Sequence, residues 1–428
     1  MSINNMLLYI DPGTGSMLFA ILIGIFGALG YVLRMAWVKL RFKLSSGKKE
    51  ITVDKIPYVI FTDDKRYWNV FEPICREFNK RGIDIEYLTA SEDDPGLNCK
   101  YEHVKPRFIG EGNKAYSKLN FLKASIVLST TPGLDVYQWK RSRDVDYYVH
   151  ILHAAGEVSL YRMFGLDYYD AVLVAGDFQV DQIRRLEEMR NLPKKELVFG
   201  GIPYMDNIVE RLKNSDPLPN HETTVLLAPS WGPSSILNRF GKKVIENLIE
   251  TGYKIIIRPH PQSFVSEKEL IDSLMAEFPN SEKLKWNRDN DNFEVLRKSD
   301  ILVSDFSGVC FDFALCHDKP IIYTDTKFDT SVYDYWWLKD EEVWTLKVLP
   351  KLGEKLTEEN MANVRGIIDD CLEKPEYALG REEVRKECWK CYLEGTTKTV
   401  DYLISKHKEL ESKSQVDEKT LVDNLKNA

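Results

Sequence analysis

Two segments of the chain carry side chains suited to binding phosphate. Arg258-Pro-His260 follows the apolar run 254–257, and Ser304-Asp-Phe-Ser-Gly308 follows the apolar run 301–303. Arginine and histidine can carry positive charge, and a hydroxyl-rich turn before a helix presents unpaired backbone N–H groups to an anion. An ordinary capped β–α turn is the alternative for the second segment. Together the two segments predict a site for a nucleotide diphosphate.

A third segment supplies a candidate general base. His153 follows an apolar strand predicted at 147–152 and precedes the small residues 154–156, where a substrate can approach the backbone closely. An imidazole can accept a proton from an attacking hydroxyl near neutral pH. His150 lies three residues earlier, but alternate strand residues point to opposite faces and no other His or Cys is near. We therefore assign His150 to packing and predict no metal site.

The pattern of apolar runs predicts the elements that position these residues. Short apolar strands alternate with helices in two successive halves, which indicates βαβ units and two mostly parallel sheets. Predicted strands lie at 58–61, 83–88, 126–129, 147–152, 171–175, 224–227, 254–257, 301–303 and 320–323. In such sheets ligands bind outside the carboxyl ends of the strands, so the three segments should face one cleft. No G-x-G-x-x-G follows the first strand, which disfavours a dinucleotide oxidoreductase.

Composition excludes several classes of protein. A length of 428 residues leaves room for about two domains, and a net charge of −8 argues against a nucleic-acid partner. Seven cysteines without regular spacing do not form a disulfide framework. Cys388 and Cys391 lie in a predicted helix, where thiols at a helix surface or an interface are favoured over a zinc or redox site. We assign them no function.

The N-terminal region predicts a membrane anchor. Residues 16–38 are apolar except for Arg34, and the uncharged part is long enough for one membrane-spanning helix. Basic residues follow the span and none precedes it, so the N-terminus should lie outside and the remainder in the cytoplasm. A cleaved signal peptide is the competing interpretation, but it would need a basic leader and a small-residue cleavage site. Segment 9–16 suggests no chemistry.

Five short motifs stand in an order that resembles a known family. They are His153-Ala-Ala-Gly156, Gly200-Gly-Ile-Pro-x-x-Asp206, Leu227-Ala-Pro-Ser-Trp-Gly232, Arg258-Pro-His-Pro261 and Ser304-Asp-Phe-Ser-Gly-Val-x-Phe-Asp312. Together they resemble the CDP-glycerol glycerophosphotransferases of teichoic acid synthesis. The resemblance implies two Rossmann-like domains of the B-type glycosyltransferase fold. It also implies a CDP-glycerol or related CDP-alcohol donor, metal-independent transfer without a cofactor, and a lipid-linked acceptor.

The resemblance also implies roles for individual residues. His153 takes the place of the catalytic base and His260 that of a second essential histidine. Ser304, Asp305 and Ser307 match the turn that binds donor phosphates, and Gly308 stands in the place of its last serine. From its charge, Arg258 would also help to hold the diphosphate. The expected organisation is an anchor with a basic linker at 1–50, an N-terminal Rossmann-like acceptor domain at 51–210, a C-terminal Rossmann-like CDP-donor domain with closing helices at 211–410, and a frayed charged tail at 411–428.

Three departures from the family pattern leave the transferred group open. The usual Trp-His-Gly-Thr reads Leu152-His-Ala-Ala, the second serine of the phosphate turn is Gly308, and the usual Asp-Gly is Glu394-Gly395. The expected activity is transfer of an alcohol phosphate with release of CMP. A B-type glycosyltransferase or epimerase acting on a UDP-sugar is one alternative, and a membrane-tethered nucleotide-binding scaffold without catalysis is another.

Overall fold

Two parallel β-sheets with helices packed against them make up residues 55–426, except 290, 325–329 and 339, which are the residues that the computed structural model describes. The predicted membrane span at 16–38 and segment 9–16 lie outside the described residues. Within the described part, no helix combines the length and the apolar character needed to cross a bilayer.

The first half contains a seven-stranded sheet in the order β3-β2-β1-β4-β5-β6-β7. Its strands are β1 (Ile56–Thr62), β2 (Ile85–Thr89), β3 (Val104–Phe108), β4 (Ala124–Ser129), β5 (Val145–Ile151), β6 (Ala171–Val174) and β7 (Glu196–Phe199). Its helices are α1 (Trp68–Lys80), α2 (Gly112–Leu119) and α3 (Asp177–Met189), and α4 (Pro203–Lys213) leads to the second half.

The second half contains a six-stranded sheet in the order β10-β9-β8-β11-β12-β13. Its strands are β8 (Thr224–Leu227), β9 (Lys254–Ile257), β10 (Leu284–Trp286), β11 (Ile301–Ser304), β12 (Ile321–Thr324) and β13 (Gly353–Leu356). The helices are α5 (Ile236–Phe240), α6 (Lys242–Glu250), α7 (Ser263–Ser266), α8 (Lys268–Glu277), α9 (Phe293–Lys298), α10 (Val309–Phe311), α11 (Trp344–Leu352), α12 (Val364–Glu373), α13 (Glu376–Cys388) and α14 (Gly395–Lys426).

The apolar runs form strands because both faces of each sheet are covered. Every residue of β8 and of β11 is buried, as expected for central strands of a parallel sheet. Each predicted strand is present within a few residues of its predicted bounds. The predicted helix at 309–315 begins as α10 and continues as one π-helical turn over Asp312–Cys316. The predicted α/β fold with parallel sheets is confirmed.

Both sheets reverse their strand order at one point, and this places a crevice there. In the first sheet the reversal lies between β1 and β4, and in the second it lies between β8 and β11. The helices that follow neighbouring strands leave on opposite sides at such a point, so the carboxyl ends of those strands are left uncovered. The loops after β1, β4, β8 and β11 are therefore free to form a binding site.

The C-terminal helix returns to the first half, which corrects two predicted boundaries. In α14, Val400 and Leu403 are buried in the core of the first sheet, and His407 Nδ1 lies 2.9 Å from Ser125 Oγ at β4. The predicted second domain at 211–410 therefore includes residues that pack on the first. Helix α14 continues to Lys426, within the segment 411–428 that was expected to form a frayed charged tail. Its i,i+4 pair Glu409–Lys413 favours the helix.

Asp206 in α4 fixes the place where the chain crosses back. Its carboxylate accepts hydrogen bonds from Trp389 Nε1 at 2.9 Å, Leu393 N at 2.9 Å and Gly395 N at 2.7 Å. A Cβ at position 395 would lie 2.8 Å from Asp206 Oδ2 and 3.0 Å from the Gly200 carbonyl oxygen, so only glycine fits. Burial raises the pKa of Asp206 to about 6, and these donors oppose the rise. The motif Gly200–Asp206 therefore has a structural role.

We expect Asp206→Ala to destabilise the protein strongly. The substitution leaves three N–H donors without an acceptor, two of them buried, which should lower the free energy of unfolding by about 3 kcal/mol. Urea denaturation followed by circular dichroism measures this change. Asp181→Ala on the exposed face of α3 is the matched control and should alter stability by less than about 0.5 kcal/mol. Equal stabilities of the two variants would contradict the role given to Asp206.

Candidate functional site

The carboxyl ends of the two sheets face one cleft, which has two lobes that share a neck. The neck contains His153 and Ala154 from the first half and His260, Ser307 and Gly308 from the second. On one side lies the Arg258 lobe of about 310 Å³, lined also by Arg66, Tyr204, Arg258, Asn292 and Asp312. On the other side lies the Trp231 lobe of about 420 Å³, lined also by Tyr161, Arg162, Trp231, Phe306 and Tyr333.

His153 is held rigidly at the end of β5. Its Nδ1 lies 3.0 Å from Thr130 Oγ1 at the end of β4, and its ring stacks on Tyr161 with a centroid distance of 6.0 Å and an interplanar angle of 15°. Burial, with a smaller contribution from the positive charge of Arg66, lowers the pKa of His153 to about 4. The imidazole is therefore neutral at neutral pH and able to accept a proton.

His260 is oriented as a hydrogen-bond donor toward the cleft. Its Nδ1 accepts a hydrogen bond from the backbone N–H of Gln262 at 3.1 Å, so the proton of the neutral ring lies on Nε2. Burial and the positive charge of Arg66 lower the pKa of His260 to about 4. The sequence allows a positive charge on His260, and its burial favours the neutral form.

Two arginines bring positive charge to the cleft. Arg258 at the end of β9 donates to Asn287 Oδ1, and burial lowers its pKa without removing its charge at neutral pH. Arg66, just after β1, is fixed by two hydrogen bonds from Nε and Nη2 to Asp64, at 2.9 and 2.8 Å. Sequence reasoning missed Arg66, although its position after the first strand at a point of strand reversal could have indicated it.

The predicted phosphate turn divides into two pairs of residues. Ser307 and Gly308 line the cleft, as predicted. Ser304 and Asp305 lie behind it, and the exposed fraction of each residue is 0%. Ser304 Oγ donates to the Ala228 carbonyl oxygen at 2.6 Å, and the Asp305 carboxylate accepts backbone N–H groups of Ser230, Ile236 and Phe306 at 2.9, 3.0 and 2.8 Å. These two residues shape the turn and do not face a ligand.

A buried carboxyl group at the end of the Arg258 lobe was also missed. Asp312 Oδ2 lies 3.2 Å from the hydroxyl of Tyr204, which is 3.3 Å from Asn292 Oδ1. Asp312 Oδ1 has no hydrogen-bond partner among the described residues. Burial raises the pKa of Asp312 to about 7. Asp312 is the last residue of the motif that begins at Ser304, and this position could have indicated a role in the site. Only the fold brings Tyr204 beside it.

Other candidate groups lie outside the cleft lining. His150 is buried, its ring packs on Tyr169 at 4.9 Å, and its Nε2 lies 3.3 Å from the hydroxyl of Tyr161. Cys388 and Cys391 are buried too, which excludes the predicted exposed helix surface for these thiols and leaves the interface alternative. Among the residues that the structure describes, no three His, Cys, Asp or Glu side chains are grouped so that they could hold a metal ion.

The family model for CDP-glycerol:poly(glycerophosphate) glycerophosphotransferases matches residues 165–336. The similarity to this family lies in those residues, which are less than half of the chain. The predicted resemblance is thereby confirmed. The matched region contains His260 and the phosphate turn, whereas His153 lies twelve residues before it, at the end of β5.

Two curated relatives and one solved structure extend this glycerophosphotransferase similarity. The minor teichoic acid biosynthesis protein GgaB of Bacillus subtilis is 27% identical over 176 residues, which are 34% of this chain and 18% of the relative. A teichoic acid glycerol-phosphate primase of Bacillus spizizenii is 26% identical over 178 residues, 39% of this chain and 42% of the relative. The alignments thus span less than half the length of either relative.

The solved structure is a variant of the wall teichoic acid polymerase TagF soaked with CDPG. It superimposes with a TM-score of 0.57 and 15% identity, covering 91% of this chain and 98% of that one. At this identity the likeness shows the fold alone. It supports the B-type arrangement of two Rossmann-like halves expected from the glycerophosphotransferase resemblance.

Two departures from the glycerophosphotransferase pattern lie opposite each other in the neck. A Cβ built on Gly308 would lie 3.6 Å from Ala154 Cβ, which is an ordinary van der Waals contact. Gly308 has φ −55°, a conformation open to any residue, so neither strain nor crowding requires a glycine there. The absent side chain therefore widens the neck beside His153 and leaves the backbone of the turn more accessible.

We expect His153 and His260 to remain neutral at pH 5.5. A histidine with the ordinary pKa near 6.5 would be about 90% protonated there, whereas a pKa of about 4 leaves only a few per cent protonated. The unfolded chain binds these two protons at a higher pH than the folded chain does. The free energy of unfolding therefore decreases as the pH falls from 6.5 toward 4.

NMR of the imidazole resonances, assigned with His153→Gln and His260→Gln, measures this protonation. The exposed His221 is the internal control within the same spectrum. Titration of either cleft histidine with a midpoint near 6.5 would contradict the burial argument.

Proposed function

We propose that this chain transfers an alcohol phosphate, and specifically glycerol phosphate, from a CDP-alcohol to an acceptor hydroxyl and releases CMP. The proposal rests mainly on the positions of His153 and His260. These residues come from opposite halves of the fold and both line the neck of one cleft. The family match over 165–336 and the similarity to a teichoic acid glycerol-phosphate primase support synthesis of a teichoic-acid-type polymer.

The proposed reaction needs a base on one side of the phosphorus and positive charge on the other. The acceptor oxygen forms a bond to the β-phosphorus, the bond to the bridging oxygen breaks, and its electron pair leaves with CMP. His153 Nε2 takes the hydroxyl proton when Nδ1–H donates to Thr130 Oγ1. His260 Nε2–H donates to a non-bridging oxygen and thereby stabilises the charge that develops there.

The Arg258 lobe has the groups needed to hold the donor. Arg258, Arg66 and the backbone N–H groups beside Ser307 surround the space next to the histidines, where the diphosphate would lie. Farther along, the Asp312 carboxyl can accept hydrogen bonds from the nucleoside through its unpartnered oxygen. These groups supply the positive charge and donors that the leaving phosphate requires, and on this basis we propose transfer without a metal or cofactor.

We expect His153→Gln and His260→Gln each to lower kcat by at least about 100-fold. The first variant loses the base, and the second loses a donor to the reacting phosphate. Release of CMP from CDP-glycerol, measured by chromatography with an acceptor present, gives the rate, and circular dichroism confirms that each variant folds. His221→Gln, at an exposed histidine outside the cleft lining, is the matched control and should keep full activity.

Two results would overturn this assignment. Near-normal CMP release by both cleft variants would show that the histidines are not required. Release of UDP from a UDP-sugar, with none of CMP from a CDP-alcohol, would instead identify a glycosyltransferase or epimerase.

We further propose that residues 16–38 anchor the chain in the cell membrane, with the catalytic part on the cytoplasmic side and a lipid-linked acceptor as its partner. The full chain should resist extraction of membranes with alkaline carbonate. Combined Leu22→Lys and Phe26→Lys substitutions place two charges in the apolar run and should release it, because charge at the bilayer centre is costly. Release of the unaltered chain by carbonate would refute the anchor.

A further inference from the structure

The Trp231 lobe has no part in holding the donor, and its lining suggests another ligand. It shares with the Arg258 lobe the residues of the neck, which include His153 and His260. A group bound in it would approach the reacting phosphorus from the side opposite to CMP, as an in-line displacement requires. Its volume of about 420 Å³ is large enough for a sugar or several glycerol units.

Aromatic faces line this lobe next to the catalytic histidine. Trp231 is 43% exposed although it is a large apolar side chain, and it borders the cavity beside His260 with a ring distance of 6.5 Å. Tyr161 stacks on His153, and its hydroxyl is directed toward the buried His150, which leaves its ring as the contact surface. Flat apolar surfaces beside a base favour a ligand whose C–H groups pack on them while a hydroxyl reaches the base.

Arg162 adds a positive charge at the edge of the same lobe. Its backbone forms an antiparallel bridge with Tyr333, so the segment is held by both halves of the chain. The guanidinium of Arg162 is exposed and has no carboxylate within ion-pair distance among the described residues, whereas Arg66 in the neighbouring lobe is paired with Asp64. In a chain with a net charge of −8, an unpaired guanidinium beside a cavity is suited to a phosphate group.

We infer that two residues of the Trp231 lobe bind the acceptor: Arg162 holds a phosphate group of the acceptor close to the hydroxyl that reacts, and Trp231 packs on its carbon skeleton. The inference rests on the proposed function and specifies its second substrate. Two kinds of acceptor share this chemistry: a glycerol phosphate oligomer, and a glycosyl diphosphate joined to a lipid. In both, Trp231 and Tyr161 contact the carbon skeleton while His153 receives the proton of the terminal hydroxyl.

The test compares acceptor kinetics of the full-length protein and its variants with CDP-glycerol as donor. The two acceptors are a short glycerol phosphate oligomer and an N-acetylhexosaminyl diphosphate carrying a short alkyl chain. For whichever acceptor the unaltered protein uses, Arg162→Ala should raise the acceptor KM about 10- to 100-fold, and Trp231→Ala about 10-fold, with the donor KM unchanged. Arg162→Lys keeps the charge without the planar fork and should give an intermediate acceptor KM.

Matched controls and outcomes separate this inference from the proposed function. Arg143→Ala and Phe121→Ala alter exposed residues outside both lobes and should leave both KM values unchanged. If the unaltered protein releases CMP but Arg162→Ala and Trp231→Ala keep a normal acceptor KM, the acceptor assignment is wrong while the proposed function stands. If the unaltered protein releases no CMP with either acceptor, the proposed function fails and the acceptor assignment fails with it.

Discussion

Parallel strands all end on the same edge of their sheet, and the rest of this structure depends on that constraint. Four residues of the cleft lining stand within a few residues of a strand end: Arg66 after β1, His153 after β5, Arg258 after β9 and Ser307 after β11. The ends of β1 and β11 lie where each sheet reverses its strand order and are not covered by the connecting helices, and β5 and β9 lie one strand farther from the reversal. Two such edges face each other and form the cleft between them, so no further domain is needed to form it.

Burial governs the electrostatics of the two cleft histidines. Desolvation, with a smaller contribution from the positive charge of Arg66, lowers the pKa of His153 and of His260 to about 4. Both rings therefore stay neutral, and their hydrogen bonds decide what each ring can do. His260 Nδ1 is occupied by a backbone N–H, which makes this ring a donor, whereas the Thr130 hydroxyl can accept from His153 and leave a basic nitrogen. The two histidines thus acquire different roles from one hydrogen bond each, to a backbone N–H for His260 and to a side-chain hydroxyl for His153.

The two halves of the chain are linked by contacts that lie outside the cleft lining. The Asp206 carboxylate holds the segment through which the chain crosses back, and α14 then completes the core of the first sheet. This arrangement explains why the motif around Gly200 and Asp206 accompanies the motifs of the cleft in sequence while lying outside the cleft lining. Contacts between residues distant in sequence determine that α14 packs on the first sheet, although the chain reaches it after the second.

The sequence by itself determined the alternation of strands and helices, the strand-end positions of His153, His260 and Arg258, and the family. These are local patterns, and burial on both faces turns apolar runs into parallel strands. Only the tertiary structure decided that Ser304 and Asp305 point into the fold while Ser307 and Gly308 face the cleft. It alone brought Arg66, Asp312 and the Trp231 lobe to the site, since residues far apart in the chain meet only when two sheets pack. Side-chain direction and pairing arise from those contacts, which spacing along a chain does not encode.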